Sequence, residues 1–177
     1  MQFNLPTKTL PKQLVEVAVN AKNASTSLPG DSFWVVYDRE APAKYRDELH
    51  ALAEDKAAAN HINIALSNVC FECWLLLHLI NSAAPYSCHD DLIKNSSFKA
   101  EFLRVTGVEY EKSEGALFDK IKHLIPEARK RAKTINASST AAANPGARPY
   151  QINPYFGILD LLNAIDAFNS KYSNRFI

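Results

Sequence analysis

Ser32-Phe33-Trp34-Val35-Val36-Tyr37-Asp38-Arg39-Glu40 is the stretch on which the fold turns. Its aromatic and β-branched run is too short for a helix and continuous enough for a strand buried on both faces. It stops abruptly in charge at Asp38-Arg39-Glu40. Pro42 then opens an Ala-rich amphipathic helix reaching about Asn60, and His61-Ile62-Asn63-Ile64-Ala65-Leu66 reads as a second buried strand. Strand, crossover helix and strand imply a parallel pair with a right-handed connection. In open α/β sheets ligands gather at the carboxyl ends of strands, which here are Asp38-Arg39-Glu40 and Ser67-Asn68.

Upstream, Met1 to Leu5 alternates weakly and predicts a short strand, and Pro6 and Pro11 then punctuate the chain before a helix. Leu14, Val15, Ala18, Val19 and Ala21 recur at helical spacing, and the stretch Ser25 to Asp31 is a turn. Downstream, the Leu-rich run from Cys70 to Ile80 reads as a buried helix and Asn81 to Asp91 as a loop. Phe98–Val105 and Leu117–Ile135 are helical by pattern, with Pro126 kinking or restarting the second. The low-complexity run from Ala137 to Gly146 predicts a flexible loop near 136–149. After Asn153-Pro154-Tyr155, Ile158, Leu161, Leu162, Ile165 and Phe168 share one face of a closing helix. The expectation is one α/β domain over residues 1–177: a small parallel-type sheet flanked by helices in 1–81, and a mainly helical part in 82–177.

A chain of 177 residues buries a full core without staples. Twenty Lys and Arg against 19 Asp and Glu give no global electrostatic pull toward a polyanion, so any nucleic-acid surface must be local. The longest apolar run, Trp74 to Ile80, falls far short of the ~20 residues a membrane span needs, and the N-terminus is no signal peptide. These features predict a cytoplasmic protein. Three cysteines do not make a disulfide framework. No G-x-x-x-x-G-K-[ST] loop is present, which argues against an intrinsic P-loop ATPase.

Asp38 and Glu40, two residues apart, can project to one side of a turning backbone, where a divalent cation would relieve their repulsion. Equally, they can be the first solvated residues after a buried strand. Ser67 or Asn68 can cap the next helix, or leave its N–H groups for an anion. Glu72 suits a helix start through the dipole, and its place beside the strand ends also suits a metal or phosphate site. His78, in an apolar stretch, reads as a satisfied core histidine. Cys70 and Cys73, with His78, Cys88 and His89, raise a zinc or redox reading, against which hydrophobic packing is the favoured one. Arg129, Lys130 and Arg131 belong to the one dense basic cluster, a solvated surface or a weak contact for tRNA or DNA.

Three blocks carry a resemblance. The stretch from Phe33 to Glu40 resembles the "WxVFDRD" strand of the RloB-like family. The stretch from Ser67 to His78 is similar to that family's "SNPxFExWLLLH" signature, with Val69 in place of proline, and Asn153-Pro154-Tyr155 to its "NPY" element. The resemblance implies a Toprim-like fold whose carboxylates bind Mg²⁺ or Mn²⁺ and act on phosphodiesters, with Asp38 and Glu40 as metal ligands and Glu72 as a further catalytic candidate. It also implies a bacterial anti-phage or restriction-associated defence role beside an ATPase partner, with DNA or RNA as substrate. The family's first strand and its acidic "EGExTE" segment have no counterpart here, because Met1 to Leu5 looks like the second strand and Glu16 lies in a helix. Three expectations arise from that departure: a truncated version, a partner that supplies the acid, or a non-catalytic interaction subunit.

Overall fold

The two strands read from the sequence pair in parallel. In a computed structural model that describes residues 1–112 and 117–173, β1 (Trp34–Asp38) and β2 (Asn63–Asn68) run in register from Trp34↔Asn63 to Asp38↔Ser67. The preceding helix α1 (Pro11–Lys22) and the crossover helix α2 (Asp47–Ala59) cover one face of this pair. The crossover starts later than the expected Pro42, at a turn where Asp47 and Glu48 bring negative charge to the positive helix end. Ala53 and Ala57, fully buried, let α2 approach Val15 of α1 and Val35 of β1 closely.

Beyond β2 the chain is mostly helical: α3 (Phe71–Leu79), α4 (His89–Asn95), α5 (Phe98–Thr106), α6 (Leu117–Ile121) and α7 (Ile125–Ala142). It then returns as a two-residue strand, β3 (Tyr155–Phe156), followed by α8 (Ile158–Ser173). β3 adds antiparallel to the far side of β2, pairing Ser67 with Phe156 and Asn68 with Tyr155. That strand is too short to register in a periodicity reading. Gly157 allows the approach, since a Cβ there would lie 2.6 Å from the Leu66 backbone nitrogen. The second core lies around α3, where Trp74, Leu76 and Leu77 meet Phe98, Phe102, Ala128, Ala132, Ile135 and Phe156.

Several expectations are corrected. Met1 to Leu5 forms no strand; Met1, Phe3 and Leu5 are exposed, and alternation without a partner for the backbone groups does not hold a strand. β1 is an edge strand buried on one face only, with Val36 half exposed. The flexible loop expected near 136–149 is helical as far as Ala142, because alanine favours helix and Ala128, Ala132 and Ile135 anchor the preceding turns. Pro126 restarts a helix, in the first turn of α7. The loop expected over Asn81 to Asp91 gives way to α4 at His89, where Cys88 Sγ accepts the Asp91 N–H. Residues 113–116 and 174–177 of the expected helical half lie outside the described residues.

Candidate functional site

β1 delivers Asp38 to the carboxyl edge of the sheet, and the next two residues diverge from it. Arg39 turns inward and is buried, donating to the carbonyls of Tyr150, Glu40 and Tyr45 and to the Asp47 carboxylate. A rigid fork of donors engaged on all of these acceptors at once makes it a clamp between β1, the start of α2 and the segment before β3. Glu40 takes a left-handed backbone (φ 60), while its N–H bonds the Val69 carbonyl at 2.9 Å. This turn carries its carboxylate to Lys44 Nζ at 2.7 Å, in a surface pair.

Two carboxylates lie close enough to act on Asp38: Glu72, in the first turn of α3, and Glu40. Asp38 is half-buried, and burial pushes its carboxyl up to about 6; the Phe71 amide opposes this, while the Glu72 and Glu40 charges add to it. Glu72 is 1% exposed. Burial alone would raise its carboxyl, yet Lys112 and His89 hold it below the usual glutamate range. Among the described residues its side-chain donors meet one oxygen: Lys112 Nζ at 3.0 Å, the Tyr110 hydroxyl at 3.1 Å and His89 Nε2 at 3.5 Å from Oε1. The other oxygen, Oε2, is buried and has no hydrogen-bond partner among the described residues. A buried unpaired carboxylate oxygen is costly, and it marks where a cation or donor would be favoured.

The remaining candidate residues are used differently. Ser67 is buried within β2, and Asn68 donates its side-chain amide to the carbonyls of Tyr150 and Ile152. Neither caps α3; the cap position is Cys70, reached through the Asn68–Val69 cis peptide. His78 is buried against Trp74, with Nδ1 3.0 Å from the Trp74 carbonyl. Arg129 pairs with Asp166 and Asn163 of α8, and Arg131 with the Leu77 carbonyl and Glu127. Lys130 and Lys133 are exposed on α7.

Lys112, Tyr110 and His89 were not legible as partners of Glu72. They come from the segment after α5 and the start of α4, and nothing in Val108-Glu109-Tyr110-Glu111-Lys112 separates it from an ordinary solvated loop. The clamp role of Arg39 was hidden by its acidic neighbours.

The architecture is thus a mixed α/β fold with a three-stranded sheet, helices on both sides, half-buried Asp38 at the end of β1 and buried Glu72 at the start of α3. The RloB-like protein family model matches residues 3–165, and the chain belongs to that family. No curated protein and no solved structure matches it. No described helix is long and apolar enough to cross a membrane.

Proposed function

We propose that this chain is a divalent-cation-dependent phosphodiesterase of the Toprim type, acting as a nuclease or nuclease subunit in a bacterial anti-phage or restriction-associated defence system. The observation that carries the reading is Glu72 Oε2, buried and without a partner among the described residues, near a strand end where Asp38 is itself held half-buried with a raised carboxyl. Two hard carboxylate donors suit Mg²⁺ or Mn²⁺, which commonly takes one or two protein carboxylates and fills its remaining positions with water and substrate phosphate. Asp38 and Glu72 are the residues that would hold it, although among the described residues no group of three or more His, Cys, Asp or Glu side chains gathers there. Glu40 stands at the rim, tied to Lys44.

Bound there, the cation would polarise a phosphate oxygen and acidify a water. The chain's own residues supply the rest. Lys112, largely exposed, lies at the mouth of the carboxylate pair and presents positive charge to an incoming phosphate, with the His89 ring beside it. Exposed Lys130 and Lys133 offer a further contact for a DNA or RNA strand. Calorimetric titration of the purified chain with Mn²⁺ and Mg²⁺ tests this, beside Asp38→Asn and Glu72→Gln. Saturable binding lost in both variants supports the reading and leads to assays on DNA and RNA. Absence of binding in the unaltered chain overturns it.

One observation favours a second reading: Lys112 already pairs with Glu72 at Oε1, with the Tyr110 hydroxyl and His89 at the same oxygen, as in a site satisfied from within. Under it the chain is a non-catalytic RloB-like subunit that docks on an ATPase partner. The same titration separates the two.

A further inference from the structure

Cys70 and Cys73 have no part in the proposed chemistry, yet they flank Glu72 on the same turn. Cys70 holds the N-cap position of α3 with an extended backbone (φ −150, ψ 165), and Cys73 lies in the first helical turn, its N–H bonded to the Cys70 carbonyl at 3.1 Å. Their sulfurs are 3.9 Å apart and share a hydrogen bond. Both side chains are buried, whereas Cys88 is partly exposed and stands elsewhere, capping α4.

Residues three apart on a helical turn have Cβ atoms roughly 5–6 Å apart, within reach of the adjustment a disulfide requires. The sulfurs must close to about 2.05 Å, a movement within reach of side-chain rotation. The Cys70 sulfur, 3.9 Å from that of Cys73, is thus a second thiol placed to resolve an oxidised Cys73.

We propose that Cys70 and Cys73 form a redox-active dithiol that hydrogen peroxide closes to an intramolecular disulfide, leaving Cys88 as a free thiol. The Cys73 thiolate attacks one peroxide oxygen; the O–O bond breaks, hydroxide leaves and takes up a proton, and Cys73 becomes a sulfenic acid. The Cys70 sulfur then attacks the Cys73 sulfur, the S–S bond forms, and the sulfenic oxygen leaves as water with the Cys70 proton. Two thiols lose two electrons and one peroxide becomes two waters. Burial of both sulfurs selects an oxidant hardly larger than water over bulky disulfides. The dithiol chemistry is independent of the proposed nuclease activity.

The test treats the full chain with hydrogen peroxide, removes the oxidant, denatures, alkylates and weighs it. Alkylatable thiols are expected to fall from three to one per chain, with loss of two hydrogens and full reversal by dithiothreitol. Cys88→Ser, which leaves the pair untouched, is expected to close in the same way, while Cys73→Ser does not. Three alkylatable thiols after treatment would overturn the proposal. So would oxidation confined to Cys88, or a stable sulfinic acid at Cys73 with Cys70 still free.

Discussion

Asp38→Asn should make the metal-free protein more stable at neutral pH while removing its divalent-cation site. The Asp38 carboxyl stands at about 6 in the fold against an ordinary 3.8. Between those values the folded state holds the extra proton, so stability falls as pH rises through that window and is level above it. At 1.36 kcal/mol per pKa unit the cost of ionising the buried group is at most about 3 kcal/mol, and solvent reaching a half-buried carboxyl brings it to roughly 1–3 kcal/mol. Asparagine keeps the shape and carries no charge to desolvate. Urea unfolding with a chelator present, run between about pH 4 and pH 8, should give a gap in favour of the variant that is small at the acid end and widest above pH 6. Added Mn²⁺ should then reverse the order, because at about a thousand times its Kd it stabilises the unaltered chain by about 4.1 kcal/mol and the variant not at all. A variant less stable than the parent at pH 8 without metal, or a gap that ignores pH, would refute the electrostatic account of this site.

Arg39→Lys should cost about 2–4 kcal/mol in urea unfolding, since an ammonium cannot serve the Tyr150, Tyr45 and Glu40 carbonyls and Asp47 together; a loss under about 0.5 kcal/mol would remove Arg39 as the clamp. Gly157→Ala places a methyl 2.6 Å from Leu66 nitrogen and 2.9 Å from Leu66 oxygen, so thermal unfolding should show a clear drop in midpoint, corresponding to about 2 kcal/mol or more. Burial pushes Glu54, beside the small cleft against Ile64, Leu66 and Tyr155, up to about 7 from 4.5 despite Arg148 nearby. Glu54→Gln should therefore stabilise the protein by about 1–3 kcal/mol above pH 7 and by little near pH 4.5, as urea midpoints at the two ends of that range would report.

The part of this molecule that could be read in advance is the part built from local pattern. A short apolar run ending in charge, an Ala-rich helix and a second apolar run gave the parallel pair, and the strand-end rule pointed to Asp38, Glu40, Ser67 and Asn68, with Glu72 beside those ends. The features that escaped depend on distant partners. Met1 to Leu5 alternates like a strand, but pairing decides strand formation. The spacing of Asp38 and Glu40 suggested a carboxylate pair; the left-handed backbone at Glu40 goes with a side chain tied to Lys44, and Glu72 adds a buried carboxylate that also acts on Asp38. β3 exists because Asn68 and Gly157 let a late segment lie against β2, and neither residue advertises that in sequence.

The stitching of Arg39 and Asn68 to the Tyr150 carbonyl has a consequence for how the protein comes into being. The acidic edge is encoded in the first half of the chain, but the acceptors that fix its backbone lie more than eighty residues later. On a ribosome adding roughly 5–20 residues per second, β1 and β2 wait several seconds before residues 149–152 emerge. During that interval a buried guanidinium and a buried amide lack the Tyr150 carbonyl that they will share. The site is therefore made rigid late, so a nascent chain carries its strand ends unlocked until residues 149–152 have emerged.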